Sequence, residues 1–377
     1  MSEEESKKTL LLIGGGHAHV EVLRQLAESP VSNCDIALFD PSPSVWYSGM
    51  LPGVVSGHYQ PAEAKINLWA LCQRARVRFI EAAVTEVVAD LQRLYVSDGS
   101  RHFFDYLSID VGGVSRPIPA TPGAYVVPVK PIERLLSAIT ERESIRSSSL
   151  NVQVIGGGAA AVEVALGLAY RWRESPGRKI GIVSATAILA GMPPRARLTA
   201  LASCAKMGVT VLEHATVENI EPTRLILKAD NSGGGPKTID CQITVLATGY
   251  SPAPLLSKIN IELASDGSIA VNSRLQSRSH KNIFAAGDCA TNENKNVPKS
   301  GVFAVRQGPV LARNLIATLR GAELAVYPHD DRALALISLG EQRAIAARNG
   351  YTVSGGWAWR WKDRIDRRWM AKYSSQD

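Results

Sequence analysis

The sequence predicts an α/β protein with two doubly wound units that share one local pattern. An apolar strand runs into a Gly-Gly-Gly turn at residues 9–16, and the same arrangement recurs at residues 152–158. In each copy a helix-forming stretch follows the glycines at once. The first glycine allows a tight turn, the second lets backbone approach a pyrophosphate, and the helix N-terminus then faces the anion. We therefore expect two Rossmann-like dinucleotide-binding domains, followed by a strand-rich and helical C-terminal extension.

The composition is that of a globular protein with two domains of ordinary size and an extension. The chain has 377 residues, of which 45% are hydrophobic and 20% charged, and no apolar run approaches the ~20 residues that span a bilayer. The acidic start, Met1–Glu5, is unlike a secretory signal, which predicts a cytoplasmic protein. The five cysteines form no close pair, which argues against a redox disulfide and a metal site. The net charge of +7 comes without a nucleic-acid-binding motif, so no nucleic-acid partner is expected.

The first unit is predicted to contain a strand at 7–13, a helix at 17–28 and a strand at 34–39 that ends at Asp40. An acid at this place binds the ribose hydroxyls of an adenosine, and Asp40 can at the same time be the strand-end turn residue before Pro41. His19 stands at the third small position of the glycine pattern, so we expect the helix to sit slightly away or to turn His19 outward. The segment 46–53, which includes Pro52, mixes aromatic and turn-forming residues that could cover a flat ring or form a surface turn.

Further strands are predicted in both units. Those of the first unit lie at 79–88, 92–96 and 106–111, the last ending at Gly112-Gly113, and a helix follows at 130–143. In the second unit Ala161 still allows close packing after Gly156 and Gly158. Its strands are expected at 179–183, which ends at Ser184, at 209–212, and at 242–246, which leads into Gly249; a glycine-rich hairpin tip lies at 232–236.

The last third of the chain is predicted to return to the first unit and then to form the extension. A strand at 282–286 leads into Gly287-Asp288, a helix covers 304–319, and paired strands lie at 332–350 with turns at 340–341 and 349–350. Near the C-terminus Trp357, Trp361, Ile365 and Trp369 recur every fourth residue among basic residues. As a helix they form one arc, which suits an anionic membrane surface. The alternative is that the tryptophans pack on the protein's own core or in a homodimer.

These motifs, in this order, resemble the two-dinucleotide-binding flavoproteins of the glutathione-reductase-like type. The paired glycine turns, Ala247-Thr248-Gly249 and Phe284–Asp288 carry the resemblance, which spans about residues 8–350. It implies FAD in the first unit, NADH or NADPH in the second, and Asp288 as the residue that holds the ribityl chain. It also implies an FAD domain over 1–117 and 251–325, an NAD(P) domain over 118–250 and an extension over 326–377. The cofactor-binding residues expected are Gly14, Gly16, His17, His19, Asp40, Pro52, Gly112, Gly156, Gly158, Ala161, Glu163, Ser184, Gly249, Gly287 and Asp288.

Within that group the chain is similar to the NAD(P)H dehydrogenases that include type II NADH:quinone reductases. More narrowly it is similar to the flavin oxidoreductase associated with selenide, water dikinase, through residues 14–24, 47–53, 301–311 and 357–363. The resemblance implies hydride transfer from NAD(P)H to FAD, then electron transfer to a quinone or similar small acceptor. It is compatible with a cytoplasmic protein that lies peripherally at the inner face of a membrane. The alternatives are a redox partner of selenium metabolism with a non-quinone acceptor, and a non-catalytic nucleotide-binding module. Because Cys34 and Cys72 are isolated, disulfide reduction is disfavoured.

Three residues are expected to be catalytic. Glu163 would reach the nicotinamide carboxamide, Lys299 would add positive charge beside reduced flavin, and Gln307 would line the acceptor pocket. For each, the alternative is ordinary helix or loop polarity. Ser184 stands where an acid would favour NADH, and with Arg195 and Arg197 downstream it tolerates NADPH, unless these arginines belong to a solvated loop.

Overall fold

The computed structural model of the protein describes residues 7–144, 149–175, 177–229, 237–292, 299–328 and 333–374. The predicted hairpin tip at 232–236 lies outside these residues. Most of the longer helices follow parallel strands, as the two glycine patterns predict. The helices of the described residues are α1 (His17–Glu28), α2 (Leu51–Ser56), α3 (Leu68–Ala75), α4 (Ile132–Ser144), α5 (Ala159–Arg171), α6 (Pro194–Lys206), α7 (Gly301–Arg320) and α8 (Gly356–Ala371).

The first unit is a five-stranded parallel sheet. Its strand order is Ile283–Ala285, Tyr106–Ile109, Lys8–Ile13, Cys34–Asp40 and Arg78–Glu81. The buried part of the strand Lys8–Ile13, residues 10–13, is entirely apolar because both faces of a parallel sheet are covered. One face packs against α1, α3 and α7. The carboxyl ends of the strands therefore meet at the glycine turn before α1.

The second unit repeats this architecture. Its parallel sheet has the order Val126–Pro128, Ile243–Leu246, Leu150–Ile155, Arg178–Val183 and Thr210–Leu212. The predicted α/β fold with two Rossmann-like units is confirmed. The boundaries at 117, 250 and 325 remain predictions. Close to two of them, Gly113–Ser115 pairs antiparallel with Tyr250–Pro252, so the two passages between the units lie side by side.

Two predicted elements differ in extent. The strand expected at 79–88 is two strands, because the chain turns after Glu81, where Ala82 N–H donates to Ile80 O two residues earlier. Val84–Val88 then joins an antiparallel sheet with Arg93–Val96 and Arg101–Phe103. The helix expected at 304–319 begins three residues earlier, at Gly301.

The C-terminal extension packs on both units. Its antiparallel strands are Ala335–Ser338, Ala344–Arg348 and Tyr351–Gly355. Ile337 and Ile345 of this sheet are buried in the core of the second unit. The far end of α8 is buried in the core of the first, through Trp369, Met370 and Tyr373. Within the described ranges, no helix has both the length and the apolar character needed to cross a bilayer.

Candidate active site

A cavity of about 550 Å³ lies at the carboxyl edge of the first sheet. Six of the predicted cofactor residues line it: Gly14, Gly16, His17, Asp40, Gly112 and Asp288. His19, Pro52 and Gly287 were also predicted but lie behind its wall rather than on it. The N-terminus of α7 contributes Gly301 and Ala304. The cavity therefore extends from the first glycine turn to the start of α7.

The first glycine turn requires glycine for steric reasons. Gly14 has a φ of +86°, and a Cβ there would lie 2.6 Å from the carbonyl oxygen of Asp110. Asp40 stabilises the same turn, because its Oδ2 accepts a hydrogen bond from Gly15 N–H at 2.7 Å and its Oδ1 accepts one from Ser42 N–H at 2.9 Å. Asp40 is thus the strand-end turn residue and also a carboxylate on the cavity, and its contact with a ribose remains a prediction.

The expectation that His19 turns outward is wrong. The side chain is fully buried, with Nδ1 2.6 Å from Gly14 O and Nε2 2.8 Å from Ser108 Oγ. Burial lowers the pKa of His19 to about 4, so the ring is neutral and can donate to one partner and accept from the other. A histidine fits the small-residue position because the neighbouring strand offers Ser108 as a partner. His19 therefore braces the glycine turn and does not face the cavity.

Asp288 has the properties expected of a ligand for a polyhydroxyl chain. Its Oδ2 forms an ion pair with Lys130 Nζ at 2.7 Å, whereas its Oδ1 is buried without a hydrogen-bond partner. A buried acceptor without a donor is costly, and a ribityl hydroxyl would supply the donor. Lys130, in the connection to the second unit, was not singled out from the sequence. It is the only lysine or arginine among the described residues that line the cavity.

Asp110 is a second cavity residue that sequence reasoning missed. Its side chain is 2% exposed, and its Oδ2 accepts hydrogen bonds from Ala18 N–H at 2.8 Å and His19 N–H at 3.1 Å. A comparison of the two units in the sequence could have identified Asp110. Ala247 follows the corresponding strand of the second unit. Its carbonyl oxygen packs against Gly156 in the same way as the carbonyl oxygen of Asp110 packs against Gly14. An acid replaces a small residue at this position of the first unit.

Lys299 and Gln307 are both bound within the protein. Lys299 Nζ donates to Ala290 O at 2.7 Å and lies 3.3 Å from Asp266 Oδ2. Lys299 is not among the residues that line the cavity. Gln307 is buried, and its Oε1 accepts a hydrogen bond from Gly287 N–H at 2.6 Å. These contacts favour support of the turn that carries Asp288 over direct catalysis. The catalytic roles of both residues remain predictions.

The second glycine turn is open where the first is covered. Gly156 has a φ of +140°, and a Cβ there would lie 2.1 Å from Ala247 O. A Cβ on Gly158 would meet no atom within 4 Å, and the first residues of α5 are exposed. Ala161, fully buried, allows α5 to pack closely on its sheet. Free N–H groups at an exposed helix N-terminus suit the pyrophosphate of a nicotinamide nucleotide.

Arg195 and Arg197, the two arginines expected to help the second site accept NADPH, have different surroundings. Ser184 is buried at the strand end, and its Oγ accepts a hydrogen bond from Thr186 N–H at 3.3 Å. Arg197 forms an ion pair with Glu213, the residue that follows the next strand. Arg195 is exposed on the first turn of α6. Gly249, with a φ of +83° and open space around its Cα, completes this edge of the second sheet.

Glu163 faces the C-terminal extension. Its Oε1 accepts a hydrogen bond from Ser338 N–H at 2.8 Å. Removal from water raises the pKa of Glu163 to about 7, opposed by the nearby positive charge of Lys362. Glu163 is therefore no ordinary solvent-facing helix residue, and its predicted contact with nicotinamide remains a prediction.

An aromatic stack joins the cavity to α8. Tyr47 and Trp369 are stacked with ring centroids 4.0 Å apart, and His17 lies 5.6 Å from each of them. Tyr47 Oη donates to Asp366 Oδ1 at 3.1 Å, and Asp366 forms a buried ion pair with Lys362 at 2.6 Å. The inner face of α8 thus forms part of the structure around the first site.

The residues of the first site fit FAD. The glycine turn and Asp40 suit its adenosine diphosphate part, and the orphaned Oδ1 of Asp288 suits its ribityl chain. The cysteines offer no competing redox group: all five are unpaired, and burial raises the pKa of Cys289, next to Asp288, to about 12. With the second site for a nicotinamide nucleotide, the fold and the sites define an NAD(P)H-dependent flavoprotein oxidoreductase.

Comparison with known proteins agrees with this class. The profile of the family described as pyridine nucleotide-disulphide oxidoreductase matches residues 8–308, and the chain belongs to that family. It is 25% identical to the demethylphylloquinone reductase of Synechocystis sp., over 93% of this chain and 89% of that protein. It is 24% identical to ferroptosis suppressor protein 1 of Xenopus tropicalis, over 93% and 91%. The structure of NDH2 from Plasmodium falciparum with NADH superposes with a TM-score of 0.79 at 15% identity, over 96% and 98%.

Proposed function

We propose that this protein passes electrons from NAD(P)H through FAD to a membrane-embedded quinone. The observation that carries the proposal is the two-sided character of α8. Its inner face bears Trp369, which stacks on Tyr47 at the flavin cavity. Its outer face exposes Trp357, Trp361 and Ile365. A helix that is apolar on its outside and lies beside a flavin site would bring that site to a lipid-soluble acceptor.

The outer face of α8 has the chemistry of a membrane-docking surface. Arg360, Arg364 and Arg368 are exposed at helical spacings from the three apolar residues. Tyr351 and Val353 extend the apolar surface along the last strand. Large apolar side chains among arginines suit the boundary between anionic headgroups and acyl chains. The peripheral location is therefore part of the proposal.

The protein's own residues would bind and orient the reactants. FAD, when bound, supplies the two-electron chemistry. Asp288 would hold the ribityl chain, and the N-terminus of α7 at the cavity would stabilise negative charge on the reduced ring. Glu163 would hold the nicotinamide carboxamide, and the open N-terminus of α5 would bind the pyrophosphate of either NADH or NADPH. The relatives above support a quinone over a selenium species as the acceptor.

The acceptor is tested by anaerobic reduction followed by a screen. NAD(P)H should bleach the flavin bands, and a ubiquinone or naphthoquinone analogue should restore them faster than selenite or a disulfide does. A protein whose reduced flavin is reoxidised by none of the quinones would contradict the proposal. Without bleaching, the protein would be a nucleotide-binding module and no dehydrogenase.

The membrane part is tested by removing the apolar side chains of the outer face. The triple variant Trp357→Ser, Trp361→Ser, Ile365→Ser should keep its FAD and its reduction by NADH. It should lose co-sedimentation with phosphatidylglycerol vesicles, and turnover with quinone in those vesicles should fall about tenfold or more. A matched control replaces Leu91, Phe103 and Leu198 by serine, since these apolar side chains are even more exposed but lie elsewhere. Equal loss of vesicle binding in both triples would remove α8 from the proposal.

A further inference from the structure

Asp110 occupies the position at which the first glycine turn would receive an anion. Its carboxylate accepts the N–H groups of Ala18 and His19 in the first turn of α1. Gly16 N–H donates to the Asp110 carbonyl oxygen at 3.1 Å. The pyrophosphate of a bound dinucleotide normally faces this end of the helix. In this protein a carboxylate already holds two of the donors there.

The fold leaves room for this carboxylate and keeps it in place. A Cβ on Gly16 would lie 2.3 Å from Asp110 Cγ, and a Cβ on Gly287 would lie 2.5 Å from Asp110 Oδ1. Both glycines therefore leave the space that the carboxyl group fills. With helix amides on one side and Gly287 on the other, the side chain cannot move away from an incoming anion without giving up its hydrogen bonds.

The charged groups around Asp110 would not neutralise the negative charge of a pyrophosphate bound beside it. The groups that face it are His17 and His19 on α1, Asp288 and Cys289 on the turn after Ala286, and Lys130 from the connection between the units. Burial lowers the pKa of each histidine to about 4, so both are neutral near pH 7. The thiol of Cys289 stays protonated. Lys130 is bound to Asp288.

We propose that FAD binding to this protein is coupled to the uptake of one proton by Asp110. The proton comes from solvent and forms an O–H bond on the Asp110 carboxylate. The neutral carboxyl group still offers an oxygen to the helix amides, and its new O–H can donate to a pyrophosphate oxygen. No other bond is made or broken. Burial and the charge of Asp288 already raise the pKa of Asp110 to about 7, and a bound pyrophosphate raises it further.

The coupling predicts how affinity changes with pH. Below about pH 6 Asp110 is already protonated in the free protein, so FAD binds without uptake. Above pH 7 the free protein has lost this proton and must regain it on binding. The dissociation constant for FAD should then rise by up to about tenfold for each pH unit, until the pKa of the complex is reached.

The test uses the full-length holoprotein. Diluting it and following the fluorescence of released FAD gives the dissociation constant, which should rise about ten- to hundredfold between pH 6 and pH 9. Calorimetric titration of the flavin-free protein with FAD at pH 8, in buffers of different ionisation enthalpy, counts the protons taken up. The expected number is close to one, and a number near zero would overturn the proposal without any variant.

Two variants identify the group. Asp110→Asn keeps an oxygen for the helix amides and removes the charge, so its FAD affinity should change less than about twofold between pH 6 and pH 9. At pH 9 it should bind FAD more tightly than the parent. Glu133→Gln, on the exposed rim of the same cavity, should keep the parent's pH dependence. An Asp110→Asn protein with the parent's pH dependence would assign the proton to another group and overturn the proposal.

Discussion

Asp288 is the residue on which FAD retention most depends. Its Oδ1 is buried without a donor, so a flavin hydroxyl bonded there would gain a charge-assisted hydrogen bond. Asp288→Ala should weaken FAD binding by about 1–3 kcal/mol, which corresponds to roughly five- to hundredfold in the dissociation constant. The measurement is release of FAD on dilution at pH 6, where protonation of Asp110 does not contribute.

Glu133→Ala is the control for this prediction, because Glu133 lines the same cavity but is exposed. It should retain FAD within about twofold of the parent. If Asp288→Ala retains the flavin equally well, the role given to Asp288 is wrong.

The raised pKa of Glu163 predicts that the rate of flavin reduction depends on pH. Removal from water raises the pKa of this side chain to about 7, so it is neutral at pH 6 and charged at pH 8. A charged carboxylate accepts a hydrogen bond from a carboxamide better than a neutral one. The rate of flavin reduction by NADH in stopped flow should therefore rise from pH 6 to pH 8. The Glu163→Gln variant should not show this rise. If the variant still shows it, Glu163 has only a structural role, as the acceptor of the Ser338 N–H group.

At the scale of single elements, the two faces of α8 lie in different environments, one in the protein core and one exposed to solvent. Trp369 is 7% exposed and packs in the core of the first unit, whereas Trp361 is 42% exposed. The C-terminal segment is therefore not separable from the fold, because removing residues 357–377 would take Trp369, Met370 and Tyr373 out of that core. Point substitutions distinguish the two faces, and truncation does not.

The two tryptophans form a matched pair for this prediction. Trp369→Ala should lower the free energy of unfolding by about 3–5 kcal/mol, because it leaves a cavity beside Tyr47 and His17. Trp361→Ala on the same helix should change it by less than about 0.5 kcal/mol. Urea unfolding of the holoprotein, followed by circular dichroism, measures both. Equal effects would mean that α8 does not have distinct inner and outer faces.

The sequence predicted what depends on local patterns and missed what depends on contacts between distant segments. The glycine turns fix two strand–turn–helix units, because only glycine tolerates the close approach of Asp110 O and Ala247 O. His19 could not be placed, because its partner Ser108 belongs to another strand. Helical spacing put Trp357 and Trp369 on one arc, but it could not reveal that the helix ends inside the core.

At the scale of the whole molecule, the C-terminal extension joins the two nucleotide sites. Ser338 of its sheet donates to Glu163 beside the second site. Tyr373, two residues after α8, donates to Glu21 of α1, the helix that follows the first glycine turn, at 2.7 Å. Lys362 and Asp366 form their buried ion pair between these two contacts. The extension therefore fixes the relative position of the units, on which hydride transfer between stacked rings depends.

The crowding around Asp110 links the mutational tolerance of two separate segments. Gly16 must lack a side chain while a carboxyl group fills the space beside it, whereas Gly287, at a φ of +70°, would be strained by a side chain whatever residue 110 is. A change at Gly16 would therefore be harmful in this sequence and tolerated better once residue 110 has become small. The order of substitution therefore matters, because a side chain at position 16 fits only after residue 110 has lost its bulk.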